Sequence, residues 1–160
     1  MMIKFLLYTI ILLASFFLKN ILLAEAPKNL IINDLKISDV NLEVELNDRL
    51  FVHYEGWVYD KSILTEDHCS AKGIKFDSSK EKPFRETPNL FTFTIGKGLL
   101  IPGWELGLLK MKKGSIRCLV IPHQLAYGHR SFDKIPPYST LIFEIELINI
   151  KKNKQDFLDD

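Results

Sequence analysis

Four neighbouring residues, Glu66, Asp67, His68 and Cys69, carry the atom types that bind metals or move protons. Chain neighbours in a loop seldom converge on one point, and no second cluster with zinc spacing accompanies them, so they imply no metal centre. The other histidines, His53, His123 and His129, are scattered. GxSxG, Walker and GxGxxG patterns are absent, which leaves serine hydrolysis and nucleotide chemistry without a carrier. What remains is aromatic: Tyr54, Phe76, Phe91, Phe93, Trp104, Tyr127 and Phe143, with one carboxylate, Asp77, beside Phe76. Taken singly these have bland readings. Aromatics at alternating strand positions pack a core, an aspartate ahead of Ser78-Ser79 belongs to a turn, and Tyr127-Gly128 is a turn.

The elements that must position these residues are short. Leu42, Val44 and Leu46 alternate with Glu43 and Glu45, and Leu50, Val52 and Tyr54 with Arg49, His53 and Glu55. With Asn47-Asp48 between them, two antiparallel strands are expected. The polar stretch from Tyr59 to about Lys75 has no period and reads as a surface loop. Phe91, Phe93 and Ile95 give another strand, ending at Gly96. Trp104, Leu108 and Met111 then follow helical spacing from Pro102, and Gly114 after Lys110, Lys112 and Lys113 marks a stop. Strands are expected again at Ile116–Ile121 and around Leu141–Leu147. This pattern predicts an α+β domain in which a curved antiparallel sheet wraps over one short helix.

In this order, Val52-His53-Tyr54-Glu55-Gly56, Phe76-Asp77-Ser78-Ser79 and Gly103-Trp104-Glu105-Leu106-Gly107 through Gly114 resemble the FKBP-type peptidyl-prolyl cis/trans isomerases. Ile121-Pro122, Leu125-Ala126-Tyr127-Gly128, Ile135-Pro136-Pro137 and Leu141 to Leu147 extend the resemblance over residues 47–150. It implies an apolar cleft floored by Trp104 and walled by Tyr54, Phe76, Leu100, Ile101, Tyr127 and Phe143, with Phe91 and Ile135 as further members. It also implies that Asp77 lies at the cleft edge, and that the Ile101 N–H and the Tyr127 hydroxyl bond substrate carbonyls. No cofactor is expected, and macrolide inhibitors are expected to bind the cleft. Against the minimal family pattern, the chain is longer by about a dozen residues between Tyr54 and Phe76. The excess between Ser79 and Phe91 is smaller, and the loop from Gly128 to Ile135 is slightly shorter. The long insertion reads equally as a client-contacting flap or as surface decoration.

Residues 1–24 carry Lys4 in a short N-terminal region and then an apolar run from Phe5 to Leu18 without acidic residues, the pattern of an export signal or, if uncleaved, a membrane anchor. Residues 25–40 read as a linker or loosely attached arm, 41–150 as the isomerase domain and 151–160 as a polar tail. Removing Lys4 and Lys19 with the leader lowers Lys+Arg from 21 to 19 against 20 Asp+Glu, a net −1. Such a balance gives no electrostatic case for nucleic acid. Export places Cys69 and Cys118 in an oxidising compartment, where a disulfide between them is permitted but not required. The sequence thus predicts a periplasmic or secretory-compartment isomerase acting on proline-containing clients. The alternative is a module that holds proline segments with incidental turnover. Membrane contact is expected only through an uncleaved N-terminal segment.

Overall fold

The computed structural model describes residues 7–15, 25–81 and 90–153 of the 160-residue chain. Residues 7–15 are helical (α1). Among the described residues, no helix is long and apolar enough to cross a membrane. The remaining elements are strands β1 (Ile31–Lys36), β2 (Arg49–Tyr59), β3 (Lys72–Ser78), β4 (Phe91–Thr94), β5 (Ile116–Ile121) and β6 (Leu141–Lys151), with helix α2 (Pro102–Gly107) between β4 and β5. All strand pairs are antiparallel. The order is β1-β5-β6-β2-β3, and β4 also pairs with β2. This is the α+β architecture expected, with the sheet lying over the short helix α2.

Strand alternation sends one set of side chains inward. Leu50, Val52 and Tyr54 of β2, Leu119 and Ile121 of β5, and Leu141, Phe143, Ile145 and Leu147 of β6 form the main core with Trp104, Leu108 and Met111. The other face has its own smaller core. Cys118 and Val120 of β5, Ile142 of β6 and Tyr59 of β2 pack beneath Cys69 and Ala71, with Trp57 and Ile63 partly buried against them. Residues 60–71, which connect β2 to β3, therefore fold onto the outer face of the sheet. A disulfide between Cys69 and Cys118, with Cα atoms 6.2 Å apart, pins the loop there.

The structure departs from the sequence-based expectations at four elements. Residues 42–46 form no strand with β2. Val44 is buried against the end of the helical region, its N–H on the Met111 carbonyl and its carbonyl accepting from Lys110, and Glu43 makes only an isolated bridge to Lys112. Residues 25–40, read as an arm, contain β1, hydrogen-bonded to β5. Its alternation is invisible because five of its six residues are exposed. Part of the stretch read as loop is β3, whose bulged register against β2 masks any period. Finally, α2 stops at Gly107 instead of continuing to Gly114. Lys110 has φ 60°, which no helix continues through.

Arg117 explains why that early stop is stable. Its guanidinium is buried, donates to the Gly107 and Leu109 carbonyls, and forms a two-point ion pair with Asp34 of β1 (2.7 and 3.0 Å). Carbonyls left without partners at a helix end are thereby satisfied, and β1 is tied to α2 through the same side chain. At the far end of β6, Lys152 donates to the buried Asp48 carboxylate (2.9 Å). The ordered domain thus extends past residue 150, where the polar tail was expected to begin.

Candidate active site

The expected cleft residues come from seven places in the fold. Tyr54 lies on β2, Phe76 and Asp77 on β3, Phe91 on β4, and Leu100 and Ile101 on the loop into α2. Trp104 stands in the first turn of α2, Tyr127 follows the short turn His123–Leu125, and Phe143 lies on β6. These side chains line one cleft of about 200 Å³. Leu99, which sequence reasoning missed, joins them and is 79% exposed at the rim. Its signal was available in the unbroken apolar run Leu99-Leu100-Ile101. Ile135 does not line the cleft; it is buried in the main core.

Trp104 is the floor. Its ring meets Tyr54, Phe91 and Phe143 edge-on, at centroid separations of 5.3, 6.0 and 5.2 Å. Phe76 meets Phe143 edge-on at 5.5 Å. Such arrangements bring positive ring edges onto negative faces and hold a rigid aromatic box. The box requires Gly56: a Cβ there would stand 2.7 Å from the Phe76 ring and 3.0 Å from that of Phe143. Trp104 Nε1 is buried without a hydrogen-bond partner among the described residues.

The Phe76-Asp77-Ser78-Ser79 motif clamps Tyr54 at both ends. Asp77 Oδ2 accepts from the Tyr54 hydroxyl, while Asp77 Oδ1 accepts from the Ser78 N–H at 2.9 Å. Ser79 Oγ accepts from the Tyr54 N–H at 2.9 Å, and the Ser79 N–H donates to the Tyr54 carbonyl at 3.0 Å. Sequence reasoning assigned no part to Ser79. Burial, with the Asp77 hydrogen bond and charge added, pushes the Tyr54 phenol far above its ordinary range. Burial, and then the Asp77 charge, also push Tyr127 up. Both phenols are therefore neutral donors at physiological pH.

Two donors on cleft-lining residues have no protein acceptor among the described residues: the backbone N–H of Ile101 and the Tyr127 hydroxyl. Ile101 caps α2 and has extended backbone (φ −60°, ψ 142°). The Glu105 carboxylate accepts from the N–H groups of Gly96 and Gly98 at 2.6 and 3.1 Å, tying the preceding loop to the helix. The Tyr127 ring is backed by Phe132, centroids 4.6 Å apart. Such a site fits an uncharged apolar group that presents carbonyl oxygens. The earlier cluster of ligand-type residues does not converge: Asp67 caps a short turn by accepting from the Cys69 N–H, His68 bonds the Tyr59 hydroxyl, and Cys69 is in the disulfide.

An open antiparallel sheet over a short helix, with an aromatic cleft at one end, defines a class, and comparison with known proteins specifies it. A family model described as FKBP-type peptidyl-prolyl cis-trans isomerase matches residues 41–148. The chain belongs to this family. It is 40% identical over 123 residues to "FK506-binding protein" of Neisseria meningitidis serogroup C, covering 76% of this chain and 96% of that protein. It is 37% identical over 107 residues to human "Peptidyl-prolyl cis-trans isomerase FKBP4", covering 66% of this chain and 20% of that one. Over 107 residues it is 38% identical to "FK506-binding protein 5" of Dictyostelium discoideum, covering 67% of this chain but 6% of that relative. Strand β1 lies outside the matched residues yet completes the sheet.

Proposed function

We propose that the chain isomerises X-Pro bonds in exported polypeptides as they fold, with Asp77, Tyr127 and the Ile101 N–H as the polar groups of the site. The observation that carries this reading is the pair of donors without protein acceptors, Ile101 N–H and Tyr127 hydroxyl, in a cleft otherwise walled by aromatic rings. Rotation about an amide costs about 18–20 kcal/mol because resonance holds it planar. The planar form is the more dipolar, so a dry aromatic surround disfavours it relative to the twisted form. Every ~1.4 kcal/mol gained in this way gives about tenfold in rate.

The roles divide accordingly. Trp104, Phe76 and Phe143 exclude water around the proline ring, while Ile101 and Tyr127 hold the flanking carbonyls. Asp77 acts on Tyr54, fixing the wall that Tyr54 forms. No proton moves. The names of two relatives as FK506-binding proteins support a macrolide as competitor for the same cleft. Export is supported by the apolar residues 1–24 and by the disulfide, which suits an oxidising compartment.

The test is cis-to-trans exchange of a short X-Pro peptide by the full chain, with and without saturating FK506. Catalysis abolished by the macrolide is expected. A folded chain without catalysis would reject the proposal and favour a holding module. Cell fractionation with an alkaline wash tests the location separately: recovery in the cytoplasmic fraction would reject export.

A further inference from the structure

We infer that the outer surface at the Arg49 end of the sheet docks acidic residues of the proline-bearing substrate, outside the cleft. This rests on the isomerase reading above but on different residues. β2 and β6 set Arg49 directly opposite Lys151, a like-charge pair of the kind that destabilises a sheet. Further along the same outer face the chain does the opposite. Lys72 meets Glu144 and Lys75 meets Glu55, each at 2.7 Å. Lys97 joins Arg49 and Lys151 around a surface depression of about 480 Å³ that no carboxylate lines among the described residues. Among the described residues, none of these three cations makes an ion pair. Their neighbour Lys152 is already engaged by Asp48 and Glu45. In a chain of formal charge +1, this concentration is local and does not reflect a basic composition.

The patch adjoins the cleft. Strand β4 begins with Phe91 in the cleft wall and ends with Thr94 at the depression, three rises or about 10 Å along the strand. Lys97 precedes the rim residue Leu99 by two positions, and the Glu105 carboxylate fixes the loop between them. The Arg49 guanidinium lies 5.9 Å from the centre of the Phe51 ring, which holds it over the same face. An extended polypeptide advances about 3.3–3.6 Å per residue. Passing around the β4 edge, a substrate with its proline in the cleft therefore brings residues roughly three to six positions away onto the three cations. Adjacency to the cleft favours this peptide over a nucleic acid or membrane, which would need a longer basic surface.

The experiment compares two proline peptides on the full chain at low salt, one with neutral flanks and one with three glutamates placed three to six residues from the proline. A roughly fivefold higher kcat/KM for the acidic peptide is expected from two or three exposed ion pairs. The advantage should vanish in high salt, and also in R49Q/K97Q/K151Q, whose rate on the neutral peptide should be unchanged. Lys97→Glu, a single change in an exposed loop, should remove most of the preference if the triple variant folds poorly. Equal rates for both peptides, or an advantage that survives in the variants, would overturn the inference. If neither peptide is turned over, the isomerase reading fails. Fluorescence anisotropy of the two peptides then tests the patch alone: salt-sensitive preference for the acidic one supports it, and equal binding overturns it. Binding of anionic vesicles or nucleic acid with no preference for the acidic peptide would also overturn it.

Discussion

The two faces of this sheet are both apolar at their centres and are finished in opposite ways. On the inner face, aromatic rings from β2, β3, β4, β6 and α2 surround a cleft that stays open to solvent. On the outer face, a comparable apolar patch around Val120 and Ile142 is covered by residues 60–71 and held by the Cys69–Cys118 disulfide. The contrast fits the proposal that the inner face carries the function. The outer apolar patch is covered, whereas the inner cleft stays open above the buried rings of Tyr54, Trp104 and Phe143 and keeps two donors without protein acceptors among the described residues. The insertion closes one face while its exit, β3, delivers Phe76 and Asp77 to the other.

That division can be broken from either side. Trp104→Ala should have the largest effect, about 3–5 kcal/mol of stability for a buried aromatic, with loss of exchange catalysis; chemical denaturation and peptide exchange report the two separately. Next, Cys69→Ala with Cys118→Ala should cost about 2–4 kcal/mol, because the bridge closes a loop of sequence separation 49. The folded fraction should retain wild-type kcat/KM. Tyr54→Phe removes the hydroxyl clamp on Asp77 and should cost about 1 kcal/mol. In that variant KM should rise more than kcat falls, as expected when a wall loosens and no reacting group is lost.

The smallest effect is that of pH. Tyr54 and Tyr127 both have raised folded-state values, so the folded chain keeps protons that the unfolded chain releases above about pH 10. Their contribution is therefore complete below that pH and is lost as pH rises further. Denaturation midpoints should fall on passing pH 10, and fall less in Tyr127→Phe. Catalysis should stay flat between about pH 6 and 8, since the raised phenols of Tyr54 and Tyr127 stay protonated throughout that window. A bell-shaped profile there would require a proton transfer that this site does not provide.

Much of the cleft was legible because its residues sit in short motifs whose order is unusual. Of the ten positions expected in the site, Ile135 alone lies outside the lining, in the core beneath. Strands with one buried and one exposed face, such as β6, were also legible from alternation. What failed was where local pattern and tertiary partner disagree. Leu42, Val44 and Leu46 alternate like a strand, yet Val44 finds its hydrogen bonds at Lys110 and Met111. β1 belongs to an edge and shows no period, so only its pairing and the Asp34–Arg117 contact reveal it. The early end of α2 depends on Arg117, ten residues beyond Gly107, which no local signal could report. The covering of the outer face was equally hidden, because it depends on Cys69 and Cys118 meeting in space.

The most direct test sets one change on each face side by side: kcat/KM for a short X-Pro peptide in Tyr127→Ala and in the Cys69→Ala/Cys118→Ala variant, both shown to be folded by circular dichroism. Catalysis falling at least tenfold in the first and staying near wild type in the second is the expected result. Unchanged catalysis in Tyr127→Ala, or its loss in the folded disulfide variant, would contradict the assignment of function to the inner cleft.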